Sequence, residues 1–323
     1  MKKLGLLVLL CFLVCCKTKN KEEINVEIAY ETKAMLGEGA FWNYRSEELY
    51  WVDIEGKKLH IFSPKTEENK TIEMPSRIGT VVPVDGENNA VVALEDGIYI
   101  VNTNTSELTL LSDVESDVTE NRFNDGKCDP NGNLWVGSMH LAQTHPKANL
   151  YKIDALGNAD KMLGNITISN GIVWTSDKKT MYYIDTPTGK IKAFDFDNKN
   201  NTITNERVAV IVNPKDGFPD GMTIDENDML WVGMWNGNAV ANYNPNTGKL
   251  IKKIKVPAHN VTSCAFGGKN LDVLYITTAS LDMTDEEHKK FPLAGSVFKV
   301  QLKEKGVKGS FFNSPNLKTA QRN

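Results

Sequence analysis

From about residue 25 onward, the chain consists of short stretches of alternating apolar and polar residues, separated by polar turns. Alternation with a period of two places successive side chains on opposite faces of a β-strand. The turns contain Asn-Gly, Asp-Gly, Pro-Asn and Thr-Gly, which are typical of connections between strands. Apart from the polar segment 283–290, which is compatible with a short helix, no stretch has helical periodicity. The pattern therefore predicts an all-β protein.

The stretches also repeat along the chain. A unit of strand, polar turn and second apolar strand recurs six times, with a period of about 40 to 50 residues. This period is expected for propeller blades of four short strands, whereas a parallel β-helix needs a shorter period and a sandwich does not repeat. The six copies are residues 37–53, 78–93, 124–137, 169–185, 219–233 and 262–277. We therefore predict a single six-bladed β-propeller domain over residues 25–323.

A propeller must close its ring, because an open edge strand invites aggregation. The N-terminal stretch 24–31 and the C-terminal stretch 295–302 are both strand-like. We expect these two stretches to pair in one composite last blade.

The register of the repeats nominates a central site. The first strand of each propeller blade lines the channel, so equivalent residues of different repeats converge near the axis. When four of the repeats are aligned on Gly39, Gly126, Gly171 and Gly221, the position before the glycine is polar in each of them. Its residues are Glu38, Asp125, Asn170 and Asp220, with Ser263 in the last repeat. Like charges so close raise one another's pKa, and a bound cation removes that cost.

The chemistry of this set indicates the kind of ion. All the donors are oxygens, without His or Cys, which suits a hard cation such as Ca²⁺, Mg²⁺ or Mn²⁺. The alternative interpretation is that these residues only form turns before glycine. Four aligned copies, one of them the poor turn former Glu38, favour the central divalent-metal site.

Composition excludes some partners. The formal net charge is −4 and the basic residues are scattered, which argues against a nucleic-acid surface. Beyond the N-terminus, no stretch approaches the ~20 apolar residues of a membrane-spanning helix. The sequence carries no dimerisation signal, and we expect a monomer.

The first residues resemble an export signal. Two lysines follow Met1, an apolar run covers residues 4–14, and Cys15 and Cys16 come next. We interpret residues 1–16 as a lipoprotein-type signal segment with Cys16 as the lipidated residue, in preference to Cys15 or Cys11. An ordinary cleaved signal is the alternative. Residues 17–24 would then form a polar tether, and the protein would be lipid-anchored in a bacterial cell envelope, on the periplasmic or surface side.

Two cysteines remain in the mature part of the chain. Cys128 and Cys264 both lie in apolar, strand-like stretches, which predicts that they are small buried hydrophobic residues. The sequence leaves open whether they form a disulfide.

Seven short motifs, in order and at blade spacing, give the chain a family resemblance. They are Leu-Gly-Glu-Gly (36–39), Arg-Phe-Asn-Asp-Gly-Lys (122–127), Gly-Ser-Met (137–139), Ser-Asn-Gly (169–171), Pro-Asp-Gly-Met (219–222), Cys-Ala-Phe-Gly-Gly (264–268) and Pro-Leu-Ala-Gly (292–295). With them, nearly everything after residue 25 resembles the SMP-30/gluconolactonase/regucalcin family. The resemblance implies a six-bladed propeller with one catalytic divalent metal ion. Ca²⁺ is the leading candidate, with Zn²⁺, Mg²⁺ and Mn²⁺ as alternatives.

The resemblance also implies roles for individual residues. Glu38, Asn170 and Asp220 match the metal ligands of the family. Asn124 matches a residue near the metal that also contacts substrate, and Arg122 matches a substrate-binding residue. A further site residue, acting mainly through water, corresponds to Asp125.

One loop departs from the family pattern. Some members carry a substrate-contacting acid shortly after the Gly-Ser/Thr-Met stretch, but residues 140–145 contain no carboxylate here. The contacts to substrate hydroxyl groups must therefore differ. His140 and Gln143 are candidates to line the pocket, with a solvated loop role as the alternative.

The expected function is metal-dependent hydrolysis of a sugar lactone, such as an aldonolactone, by activated water. Asp220 is the expected base, and Arg122 and Asn124 are expected to orient the substrate. One alternative keeps the site but uses a different lactone or ester. Another is a non-catalytic, Ca²⁺-stabilised propeller that binds sugar or protein.

Overall fold

The computed structural model describes residues 24–313, which form six four-stranded antiparallel sheets. From the axis outward, blade 1 consists of β2 (Gly37–Asn43), β3 (Glu48–Asp53), β4 (Lys58–Ser63) and β5 (Glu68–Glu73). Blade 2 consists of β6 (Ile78–Pro83), β7 (Asn89–Leu94), β8 (Gly97–Asn102) and β9 (Leu108–Ser112). Blade 3 consists of β10 (Asn121–Cys128), β11 (Leu134–His140), β12 (Ala148–Ile153) and β13 (Ala159–Ile166). Blade 4 consists of β14 (Ser169–Trp174), β15 (Thr180–Asp185), β16 (Lys190–Asp197) and β17 (Thr202–Ile211). Blade 5 consists of β18 (Phe218–Ile224), β19 (Leu230–Trp235), β20 (Ala239–Asn244) and β21 (Lys249–Lys255). Blade 6 consists of β22 (Asn260–Gly267), β23 (Val273–Ala279), β24 (Val297–Gln301) and β1 (Val26–Tyr30).

The first strands of the six blades form a closed ring. Strands β2, β6, β10, β14, β18 and β22 each contact the corresponding strands of both neighbouring blades. The predicted six-bladed propeller is therefore confirmed, and residues at equivalent positions of the repeats do converge on one axis.

The ring closes through a composite blade. Strand β1 pairs antiparallel with β24, with Val26 opposite Val300 and Ile28 opposite Phe298. The predicted pairing of the N-terminal and C-terminal stretches is confirmed. Strand β1 is the outermost strand of this sheet, so the N-terminal stretch completes the blade that the C-terminal strands form and ties the two ends of the domain together.

The second strand of the blades supplies the largest buried side chains. Trp51, Trp135 and Trp231 occupy equivalent positions on β3, β11 and β19, and each is fully buried. The indole of Trp135 donates to Asp129 Oδ2 at 2.9 Å, and that of Trp231 donates to Asp225 Oδ2 at the same distance. Blades 3 and 5 therefore couple a polar turn to the core, because one turn carboxylate satisfies both the turn and the indole, whereas the Trp51 indole has no such partner within residues 24–313.

Every inner strand has a β-bulge near the same place. The pairing register shifts between Glu38 and Phe41 in β2, and at the corresponding points of the other five blades. A bulge bends the strand and redirects its side chains, which is common beside functional sites. The glycine after the polar position is required by close packing in blade 4, where a Cβ on Gly171 would lie 2.7 Å from Asp220 O.

The remaining elements agree with the sequence. The helix expected near residues 283–290 is α1 (Asp285–Lys290), which begins with a capping box between Thr284 and Glu287. Cys128 and Cys264 are both buried and unpaired, as small hydrophobic residues would be. Within residues 24–313, no helix is both long and apolar enough to span a membrane.

The predicted signal segment 1–16, its Cys16 and all of the tether except residue 24 lie outside the described residues. Residues 314–323 of the predicted domain also lie outside them. These assignments stay predictions.

Candidate active site

A cavity of about 460 Å³ opens at one mouth of the central channel. Its deep end is lined by Glu38, Asn170 and Asp220 together with Arg122 and Asn124. Apolar side chains form much of the wall. Among them are Leu36, Met139, Leu141, Ile168, Phe218, Trp235 and Leu281. The size and the mixture of apolar walls with a few converging polar groups are typical of a small-molecule site.

Three buried carboxyl groups lie near the deep end, two of them in the cavity lining and Asp125 outside it. Glu38, Asp125 and Asp220 are each at most 5% exposed. Glu38 Oε2 accepts the Gly39 N–H at 3.0 Å, and Asp125 Oδ1 accepts the Gly126 N–H at 2.8 Å. These residues lie inside bulged inner strands rather than in hairpin turns, so the interpretation as turn formers does not hold.

Burial and mutual repulsion dominate the electrostatics of this group. Burial, and then the charge of Asp125, raises the pKa of Glu38 to about 8. Burial, and then the charge of Glu38, raises the pKa of Asp220 well above its ordinary value. The pKa of Asp125 is also raised by burial. Without a bound cation the site therefore keeps protons at a pH at which free carboxyl groups have already lost them.

Asn170 offers a free acceptor to the same place. Its Nδ2 donates to Thr186 Oγ1 at 2.9 Å, and that hydroxyl donates to Pro219 O at 2.9 Å. The amide is thereby oriented with Oδ1 buried and without a hydrogen-bond partner. A buried acceptor without a partner is costly, and a cation is one group that satisfies it.

Arg122 is held in place by its neighbours. One guanidinium nitrogen, Nη1, donates to Asn124 Oδ1 at 2.7 Å and to Phe123 O at 2.9 Å. Asn124 in turn donates through Nδ2 to Ser169 O of the next blade at 2.7 Å. Burial lowers the pKa of Arg122 to about 10, so it remains a cation at neutral pH. Asn124 therefore uses its amide to fix a cationic side chain against the cavity.

The donor set fits a hard cation through two carboxylates and one amide. Residues 24–313 contain no group of three or more His, Cys, Asp or Glu side chains placed to hold a metal ion. The candidate metal ligands are therefore the unpartnered Asn170 Oδ1 and the carboxylates of Glu38 and Asp220. All three are oxygen donors, as Ca²⁺ and Mg²⁺ prefer. The metal site itself stays a prediction.

The structure separates the other predicted site residues. Arg122 and Asn124 line the cavity, whereas Asp125 is buried behind its lining. Gln143 lines the cavity from the loop that lacks a carboxylate. His140 is buried beneath that loop, where its Nδ1 accepts the Ala142 N–H at 3.1 Å.

Several cavity residues were not found from the sequence. Glu55, Arg77, Thr186, Asn236 and Asp282 all line the cavity. They lie in connecting segments that do not repeat, so alignment of the repeats gave no signal for them. The only available signal was their position just beyond a repeated strand: Glu55 and Thr186 follow β3 and β15 closely.

Six four-stranded blades around a pocket of buried carboxylates define a β-propeller with an acidic central site. Residues 36–280 match the family model described as SMP-30/Gluconolactonase/LRE-like region. The chain belongs to this family, as the motif resemblance predicted.

Relatives and solved structures agree with this membership. The chain is 38% identical over 276 residues, 85% of its length and 94% of the relative's, to "Putative sugar lactone lactonase YvrE" of Bacillus subtilis (strain 168). A luciferin-regenerating enzyme matches with a TM-score of 0.84 at 32% identity, covering 90% of this chain and 99% of its own. Regucalcin of Agrobacterium tumefaciens strain C58, a calcium-binding protein, matches with a TM-score of 0.85 at 26% identity, covering 90% and 97%.

Proposed function

We propose that this protein is a metal-dependent lactonase that hydrolyses a sugar lactone, such as an aldonolactone, with activated water. The observation that carries the proposal is the convergence of Glu38, Asp220 and the unpartnered Asn170 Oδ1 beside the clamped Arg122 at the end of one cavity. Membership of a family with lactonase relatives supports a lactonase-like enzyme.

Glu38, Asn170 and Asp220 are the residues that would hold the metal ion. The donor set and the calcium-binding relative favour Ca²⁺, with Zn²⁺, Mg²⁺ or Mn²⁺ as alternatives. When bound, a divalent cation supplies positive charge that stabilises a developing oxyanion and makes the attacking water more acidic.

Asp220 is the proposed general base. It lines the cavity and is 5% exposed, so its ionised form is poorly solvated and strongly basic. We assign to it the proton of the water that attacks the lactone carbonyl carbon. After burial, the charge of Glu38 is the largest cause that raises the pKa of Asp220, so Glu38 makes the ionised Asp220 a stronger base.

Arg122 is the proposed partner of the substrate oxygens. Its Nη1 donates to Asn124 and Phe123, and the guanidinium lines the cavity. Within residues 24–313 its other N–H groups make no hydrogen bond, so they remain for a ligand. A cation in a partly dehydrated pocket stabilises negative charge more strongly than in water. Arg122 would therefore orient the lactone and support the oxyanion that forms on attack.

A non-catalytic calcium propeller is the competing function. Such a protein needs the ion but needs no cationic side chain fixed at the wall of the cavity. The Arg122–Asn124 pair, tied across two blades through Ser169 O, favours the enzyme.

A pH-indicator assay on a lactone panel tests the proposal. Protein depleted of metal with a chelator should release no acid from glucono-1,5-lactone, and added Ca²⁺ should restore hydrolysis. The matched control is the same series with the exposed variant D195N, which should behave as the wild type. Hydrolysis at the full rate in the chelated sample would contradict the mechanism, and a metal-loaded protein that hydrolyses no member of the panel would contradict the function.

We also propose that residues 1–16 direct the protein to the bacterial cell envelope, where Cys16 would carry the lipid. Metabolic labelling with a palmitate analogue tests this. Label in the wild type and none in C16A is the expected result, and label retained in C16A would contradict the assignment.

A further inference from the structure

We propose that Glu55 and Arg77, on one rim of the cavity, bind the hydroxyl groups of the substrate and restrict it to polyhydroxylated lactones. This inference rests on the proposed lactonase function, and it assigns a specificity role to two residues outside the repeated motifs.

The two side chains form a close ion pair on the cavity wall. Arg77 Nε lies 2.9 Å from both Glu55 Oε1 and Glu55 Oε2. Both residues line the cavity and are only partly buried, with side-chain exposures of 34% for Arg77 and 21% for Glu55. The pair is therefore open to a ligand and still sheltered from bulk water.

Arg77 is fixed from its other side by Glu95. Its Nη1 donates to Glu95 Oε1 at 2.9 Å, and its backbone N–H donates to Glu95 Oε2 at 3.4 Å. The loop that carries Glu55 is fixed too, because Asp53 Oδ1 accepts the Gly56 N–H at 3.0 Å and the Leu36 N–H at the same distance. The rim is consequently preorganised, which reduces the entropy lost on binding.

Hydrogen-bonding capacity remains on both partners. In the described part of the chain, no protein hydrogen bond uses Arg77 Nη2, which leaves its two N–H donors for a ligand. A carboxylate has about four lone-pair sites, so Glu55 still accepts bonds while paired with Arg77. Adjacent donors and acceptors match vicinal hydroxyl groups, each of which both donates and accepts.

The rim pair belongs to the same cavity as the reacting end. Glu55 and Glu38 are the two carboxylates that most favour the charged form of Arg122, so the guanidinium lies within electrostatic reach of both. A lactone whose carbonyl is at Asp220 would therefore extend its hydroxylated side towards the rim. A site built to bond substrate hydroxyl groups rejects an analogue that lacks them, since the polar groups of the rim then lose water without gaining a bond to the ligand.

The test compares two lactones of the same ring size. E55Q and R77M are assayed with Ca²⁺ on glucono-1,5-lactone and on δ-valerolactone, which carries no hydroxyl groups. We expect kcat/KM on the hydroxylated lactone to fall about tenfold or more through KM, because a hydrogen bond to a charged group is lost. On δ-valerolactone the change should stay within about twofold, since this substrate makes no such bond.

The control is another Arg–carboxylate pair. Arg207 Nη1 lies 2.7 Å from Asp195 Oδ1 on the exposed outer strands of blade 4, and neither residue lines the cavity. D195N and R207M should leave both substrates unaffected. Thermal melting of all four variants tests whether each is folded. An equal loss on the two lactones, or no loss on either, would overturn the proposal.

Failure of the proposed function is distinguishable from failure of the rim assignment. If the wild type hydrolyses neither lactone, the function is wrong, and the rim is judged by calorimetric titration with D-glucitol. Weaker binding to E55Q and R77M than to the wild type supports the rim site. Equal binding to all three proteins, or no binding to the wild type, overturns it.

Discussion

The two mouths of the channel are built from the same six inner strands, yet their chemistry is opposite. At the cavity mouth the strands present Glu38, Asn170 and Asp220. Three residues further along the same strands, Phe41, Val173 and Thr223 line a second cavity of about 360 Å³ at the other mouth. In the described residues, no acidic side chain lines this second cavity, and Lys127, Lys178 and Lys308 do.

The far mouth is closed by the chain itself. After β24, the segment 306–312 makes isolated bridges to blades 5, 3 and 2, through Gly306 to Asp225, Ser310 to Cys128 and Phe312 to Val84. Phe312 is fully buried in the core that blades 1 to 3 share. In β2, β14 and β18, one end of the inner strand therefore carries candidate chemistry, and the other end lies at the mouth that the chain packs against. The comparison predicts that substitutions at the two ends affect different properties.

The largest effect is expected at the cavity mouth. D220N should lower kcat for lactone hydrolysis by about 10²–10⁴-fold, because the general base is lost. The melting temperature should stay the same or rise, since a buried carboxyl group that resists ionisation is replaced by a neutral amide. Initial rates and thermal melting measure the two properties, with D195N as the exposed control. A kcat for D220N equal to that of the wild type would contradict the assignment of catalysis to the cavity mouth.

The opposite outcome is expected at the far mouth. F312A should lower the free energy of unfolding by about 3–5 kcal/mol, because it removes a fully buried aromatic ring. The kcat of the molecules that remain folded should be unchanged. Urea denaturation measures the loss, and L250A, at a position 40% exposed, is the control that should be nearly silent. A stable but inactive F312A protein would show that the two ends of the strands are coupled.

Calcium should stabilise the cavity mouth more at high pH than at low pH. Without metal, folded Glu38 keeps its proton up to a pKa of about 8, whereas the unfolded side chain loses it near 4.5. The free energy of unfolding of the metal-free protein should therefore fall as pH rises between these values. Ca²⁺ competes with this proton, so the gain of about 2.7 kcal/mol expected at 100 times Kd should appear near pH 8 and diminish towards pH 5.

Melting curves with and without CaCl₂ at pH 5 and pH 8 check this dependence. E38Q is the informative variant, because it removes the titrating group and should flatten the pH dependence of the metal-free protein. An equal shift at both pH values would contradict the prediction that Glu38 is a ligand.

The smallest effect is expected at Ser263, the residue that blade 6 places at the shared position. Its Oγ is buried and makes no hydrogen bond within residues 24–313, but the hydroxyl is not part of the cavity lining. S263A should change kcat/KM by no more than about twofold, since no satisfied bond is lost. N170A, which removes the unpartnered Asn170 Oδ1 at the same position of blade 4, is the matched comparison and should lose most activity. A large effect of S263A would place Ser263 in the ligand set.

Much of the fold was predictable because a propeller repeats one structural unit. The turn residues and the alternation of apolar and polar positions specify each hairpin, and the period of the repeat specifies the blades. Six copies of the repeat therefore predicted the ring and the alignment of equivalent residues around it. The same register brought Glu38, Asn170 and Asp220 to one place, since equivalent residues of inner strands surround one axis. Loop residues such as Glu55 and Arg77 have no counterpart in the other repeats, and nothing in the sequence indicated that they meet.

The sequence by itself determined the strands, the closure through the ends of the domain and the polar position before each shared glycine. These are properties of local conformation and of periodicity, which a single chain displays directly. Only the tertiary structure decided that Asn124 clamps Arg122, that Thr186 leaves Asn170 Oδ1 free and that Asp125 lies behind the cavity wall. Such contacts depend on which groups from different blades lie within hydrogen-bonding distance, and that distance is set by packing rather than by sequence spacing.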